Sequence, residues 1–136
     1  MEKIFEDKFQ IINYYPEKTI LECIWQNTEE MVDEDYQQGL QKQVELVEKY
    51  KITKELFDTH SFQYTISVDM QEWTDKEIYT KLHKLGVRQF ALIVPHEFIA
   101  QLSLEQTTEE GKANVFDPKF FATRKEAQDF LLSLPY

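Results

Sequence analysis

The stretch Gln89-Phe90-Ala91-Leu92-Ile93-Val94, stopped by Pro95, decides the fold. It is the most hydrophobic run in the chain and shows no polar alternation. A strand with one wet face alternates, whereas an unbroken apolar run belongs to a strand covered on both faces, as inside a parallel sheet. Leu92 and Val94 are expected on one buried face, with Ile93 on the opposite, also covered, face. Upstream, a helix is expected to run to Leu85, its apolar stripe marked by Met70, Trp73, Ile78, Leu82 and Leu85, with Gly86 at the C-terminal position that favours glycine. Ser67 is a candidate cap for its start. Thr74-Asp75-Lys76-Glu77 repeats a capping-box pattern, so one helix and two helices parted near Thr74 both fit.

Further upstream, Glu55 to Thr59 reads as a short strand and 60–66 as a loop. Before them, residues 33–50 form an amphipathic helix with Tyr36, Leu40, Val44, Val47 and Tyr50 on one face. Gly39 within it is unfavourable for a helix by about 1 kcal/mol against alanine, which points to a close packing contact. The acids Glu29, Glu30, Asp33, Glu34 and Asp35 gather where the helix dipole favours negative charge, a structural role that outweighs a cation site. The N-terminal segments 3–6, 9–15 and 18–26 are strands, the last two joined as a hairpin across Pro16-Glu17-Lys18. Leu21, Cys23 and Trp25 form a fully apolar face, expected against the helices. Downstream of Pro95, a helix is expected at 97–110, ended by Gly111, with a further cap at Ser103. A strand at Ala113 to Phe116 and a last helix capped at Thr123 follow, the helix lined by Ala127, Phe130, Leu131 and Leu134. Strands separated by helix-length crossovers must be parallel neighbours. The expected fold is a single α/β domain over 1–136, a mixed sheet with an N-terminal antiparallel hairpin and parallel strands joined by helical crossovers.

Composition narrows the function classes. Of 136 residues, 25 are acidic and 15 basic, a net charge of −10, which disfavours a nucleic-acid or anionic-membrane partner. No apolar run is long enough to span a membrane, and the first residues lack the apolar stretch of a signal peptide, so a cytoplasmic location is expected. The single Cys23 excludes an internal disulfide and, mid-strand on an apolar face, is expected in the core. Cys23, His60, His83 and His96 lack the short spacings of a zinc site, and three scattered glycines make no phosphate loop, so neither metal nor cofactor is expected. His83, beside Lys81 and Lys84, is expected on the solvent side. Trp25 and Trp73 are expected in the core.

The carboxyl ends of parallel strands are where open α/β sheets bind ligands. Two such ends are defined, Asp58-Thr59-His60-Ser61 and Pro95-His96-Glu97. Asp58, Thr59, His60, Ser61 and His96 are therefore the candidate binding rim, with helix N-termini nearby to receive a small anion or carboxylate. Asp58, His60 and Ser61 have the residue types of a catalytic triad, but no strained nucleophile turn is present and four consecutive loop residues are a poor frame for one. The competing role is loop closure by short polar side chains.

The segments Phe57-Asp58-Thr59, Ile66-Ser67 with Gln71-Glu72-Trp73, Leu85-Gly86-Val87, Ala91 to Pro95, Gln101-Leu102-Ser103 with Glu105-Gln106, and Phe116-Asp117, taken together, resemble the STAS-like family, related to anti-sigma-factor antagonists and grouped with CRAL-TRIO-like lipid-binding domains. The resemblance spans about residues 10–134. It implies a non-catalytic regulatory or protein-interaction module, with an unidentified protein partner and a homodimer as an open assembly state. Its alternative is a carrier for a small apolar, lipid-like ligand held between helices and sheet. Antagonist domains of this kind carry a phosphorylatable serine after an Asp at a strand end, and the nearest residue here is Ser61, with Phe62 rather than glycine following.

Overall fold

The computed structural model describes residues 1–95 and 118–135. Six strands form one sheet in sequential order: β1 (Glu2–Glu6), β2 (Gln10–Tyr15), β3 (Ile20–Trp25), β4 (Lys54–Asp58), β5 (Gln89–Ile93) and β6 (Lys119–Phe121). The first two pairings are antiparallel and the last three parallel. The sheet is thus mixed, and β5 lies between two parallel partners, as its unbroken apolar run requires. His96, the helix expected at 97–110 with Ser103 and Gly111, and the strand expected at Ala113 to Phe116 lie outside the described residues.

Helix α1 (Asp33–Tyr50) crosses from β3 to β4. From β4 to β5 the chain runs through α2 (Val68–Trp73), a π-helical segment (Thr74–Tyr79) and α3 (Thr80–Leu85). Both crossovers advance the same way across the sheet, and with the usual right-handed sense they place their helices on one face. The larger core cluster has that composition: Leu21, Cys23 and Trp25 of β3, Phe57 of β4 and Phe90 of β5 meet Tyr36, Leu40 and Val47 of α1 and Ile78 and Leu82 of the second crossover. The opposite face is covered by α4 (Arg124–Ser133), whose Ala127 and Leu131 pack on Ile20, Leu56, Ala91 and Ile93.

The local signals act as their chemistry demands. Ser67 Oγ accepts from the Met70 N–H at 3.2 Å, and Thr123 Oγ1 accepts from the Glu126 N–H at 3.2 Å, so both helices begin at side-chain caps. Asp33, Glu34 and Asp35 occupy the first turn of α1, and the Asp35 carboxylate accepts from the Val32 N–H at 3.1 Å. Gly86 takes φ 108° after α3, backbone that a Cβ disfavours. Near Thr74 the helix widens into a π turn instead of parting: the Thr74 hydroxyl donates to the Met70 carbonyl at 2.7 Å, and the chain continues helical to Leu85. Leu92 is half-buried, while Val94 and Ile93 are buried. Leu92, expected to be buried, is therefore only partly covered, and it lines a cavity.

Gly39 has the close contact its position implied. A Cβ there would come within 2.9 Å of Trp25 Cη2. The indole lies against the bare backbone of α1, held by Tyr36 on one side (ring centroids 6.4 Å apart) and by the edge of Phe62 on another (5.7 Å).

Candidate functional site

Between the sheet and the first helical layer lies a cavity of about 530 Å³. The sheet contributes Trp25, Phe57, Leu92 and Val94 to its wall; α1 contributes Tyr36, Leu40 and Gln43; the second crossover contributes Thr74, Ile78, Tyr79 and Leu82; the loop after β4 contributes Thr59, His60, Phe62 and Ile66. The size and the predominance of aromatic and aliphatic groups match a small-molecule site, and no Asp, Glu, Lys or Arg is among the described lining residues. Burial pushes the Tyr36 and Tyr79 phenols up from their ordinary range, so both stay protonated at neutral pH.

Several polar groups in this wall are spoken for. Thr59 Oγ1 donates to the Ile93 carbonyl at 2.8 Å. Thr74 spends its hydrogen on Met70, so the 2.8 Å contact between Tyr36 and Thr74 has the phenol as donor. Gln43 differs. Gln10 Nε2 donates to the Gly39 carbonyl at 2.9 Å, which turns Gln10 Oε1 toward Gln43, and Gln43 Nε2 donates to it at 3.1 Å. That chain fixes the orientation of the Gln43 amide and leaves its Oε1, fully buried, without a hydrogen-bond partner among the described residues.

Glu55 is two residues before Phe57 on the same face of β4, wholly buried, and both its carboxyl oxygens lack a hydrogen-bond partner among the described residues. Burial pushes this carboxyl up to about 8. Its neighbour across the β3–β4 pairing is Leu21, with Cys23 next on the same face. Burial first, then the charges of Glu55 and Glu22, push the Cys23 thiol well above its ordinary value, as expected for an inert core thiol.

A second pocket, about 320 Å³, opens at the carboxyl edge of the sheet, where Asp58, His60 and Ser61 meet Ile24, Ile93 and Arg124. Four of the five rim residues are therefore adjacent in space: Asp58 and Ser61 face this pocket, Thr59 faces the larger cavity, and His60 borders both. His96, the fifth, lies outside the described residues. No described hydrogen bond joins the His60 ring to the Asp58 carboxylate or the Ser61 hydroxyl. Asp58 Oδ1 instead accepts from the His60 backbone N–H at 3.2 Å, and the Thr59 N–H donates to Ile93 O at 3.1 Å, so both residues close the loop. His83 is exposed on α3. Among the described residues, no group of three or more His, Cys, Asp or Glu could hold a metal ion, and no helix is long and apolar enough to cross a membrane.

Sequence reasoning missed the other polar centre, on the α4 face. The fully buried Glu22 carboxylate accepts from Asn13 Nδ2 at 2.8 Å, Gln128 Nε2 at 2.7 Å, Tyr15 OH at 3.2 Å and Arg124 Nε at 3.1 Å, with Arg124 Nη2 as a further donor. Burial alone would raise this carboxyl, but the hydrogen bonds of Arg124, Asn13 and Gln128 outweigh it and hold it below the ordinary range. The network ties α4 to β2 and β3. The available signals were a glutamate between Ile20 and Ile24 on one strand face, and a glutamine between Leu40 and Val47 on the apolar stripe of α1. Compared with protein-family models, with curated proteins and with solved structures, the chain finds no match.

Proposed function

We propose that the protein binds a small, largely apolar molecule between its sheet, the helix α1 and the helical stretch from Thr74 to Leu82. The observation that supports this reading is the 530 Å³ cavity with its aromatic and aliphatic wall. A recess of this size with an aromatic and aliphatic wall is the kind of space that small apolar molecules occupy. The CRAL-TRIO side of the STAS-like resemblance implies the same kind of ligand. Equilibrium dialysis against naphthalene tests it. Saturable uptake of one molecule per chain is expected, weakened at least tenfold by Leu92→Trp, which fills the cavity from a half-buried position. Uptake that does not saturate, or that ignores the filled cavity, would overturn the reading.

A second reading, a STAS-like regulatory module switched at Ser61, draws on one observation: exposed Ser61 shares the rim pocket with Arg124, a residue suited to a phosphate. Arg124 is already bonded to Glu22, so a phosphate there would compete with the Glu22 network. If Ser61→Glu, which places a negative charge beside the Arg124–Glu22 network, leaves Tm unchanged, this reading fails.

A further inference from the structure

We infer that the cavity selects ligands carrying one neutral hydrogen-bond donor, an O–H or N–H, on an aromatic or similarly apolar body, with Gln43 Oε1 as the acceptor; this rests on the cavity being the ligand site. Gln43 lines the cavity, is fully buried, and keeps Oε1 unpaired among the described residues. A buried acceptor left without a partner carries a desolvation penalty that a matching donor relieves. The amide cannot turn its Nε2 toward the ligand at no cost, because Nε2 is held by Gln10 Oε1, which is oriented in turn by the Gly39 carbonyl. At this point the site holds an unpaired acceptor whose orientation is fixed by its neighbours, so a ligand group that donates gains a partner that a group of the same size without a hydrogen lacks. Charge is disfavoured because no Asp, Glu, Lys or Arg lines the described wall to compensate it. The body of the ligand meets Trp25, Tyr36, Phe57, Phe62 and Tyr79, whose rings favour stacked and edge contacts with another ring.

The test is equilibrium dialysis of 2-naphthol and 2-methylnaphthalene, which differ by a hydroxyl against a methyl of similar size. Water holds naphthol more strongly, so the quantity to read is the ratio of the two affinities and how it changes with Gln43. In Gln43→Met the naphthol-to-methylnaphthalene ratio is expected to fall about tenfold, the scale of one hydrogen bond to an otherwise unpaired buried group. Because Gln43→Met strands Gln10 Oε1, the double variant Gln10→Met/Gln43→Met removes both amides and is expected to show the same fall. A ratio unchanged in the folded variants, with both probes bound in the cavity, overturns the donor selectivity and leaves the cavity reading standing. Failure of both probes to bind the unsubstituted protein overturns the cavity reading and the inference with it.

Discussion

Replacing Glu55 by glutamine should remove a large part of the protein's pH dependence of stability. In the folded chain burial pushes this carboxyl, which has no hydrogen bond among the described residues, up to about 8 from an ordinary 4.5. The folded state thus keeps a proton that the unfolded chain releases above about pH 4.5. Its contribution is fully present below that pH and is lost progressively as pH rises through about 8. Going from 4.5 to about 8 at about 1.36 kcal/mol per pH unit amounts to about 5 kcal/mol in all. Of this, about 3 to 4 kcal/mol should be lost between pH 5 and pH 8. Urea unfolding of the original and the Glu55→Gln proteins at pH 5, 6, 7 and 8 reads this directly. The original chain should lose stability across the series, and the variant should stay nearly flat over the same interval. Glu55→Met, which buries no polar atom, should match or exceed the original at every pH. Parallel pH slopes for the original and Glu55→Gln would refute the argument, because they would mean the carboxyl is hydrated or paired in solution.

Gly39→Ala should improve helix propensity by about 1 kcal/mol yet force the packed Trp25 indole aside at a cost of about 1–3 kcal/mol, so thermal melts should show a net loss; a net gain would mean the indole yields freely. Arg124→Met should leave Glu22 a buried charge with weakened support and destabilise by about 2–3 kcal/mol, below the full cost of breaking a buried pair because the Arg124 side chain is 42% exposed; a smaller loss in low than in neutral pH is expected, since Glu22 stabilises only where it is ionised. Thr123→Ala should lose about 1 kcal/mol in urea melts and Thr123→Asp almost nothing, because Asp replaces the oxygen that receives the Glu126 N–H.

Sequence alone determined the layers of this protein. The unbroken run at 89–94 required a covered strand, the spacing from Tyr36 to Tyr50 required a helix with one apolar face, and Ser67, Gly86 and Thr123 marked helix ends by their own side chains or lack of one. These are properties of neighbours within one turn or one strand, so local chemistry suffices to read them. Leu21, Cys23 and Trp25 could be assigned a common face because a strand alternates with period two. Only the tertiary structure decided what the faces enclose. Glu22 meets Arg124 across 102 residues, and Gln43 meets Gln10 across 33, pairings that exist only once sheet and helices are docked. Glu55 reads in sequence as one more strand residue, and its isolation in the core follows from the elements stacked around it. The cavity is the least legible feature of all: it is the space that Trp25, Tyr36, Phe57, Phe62 and Leu82 leave between them, set by how large side chains from five segments fit together and not by the pattern of any one segment.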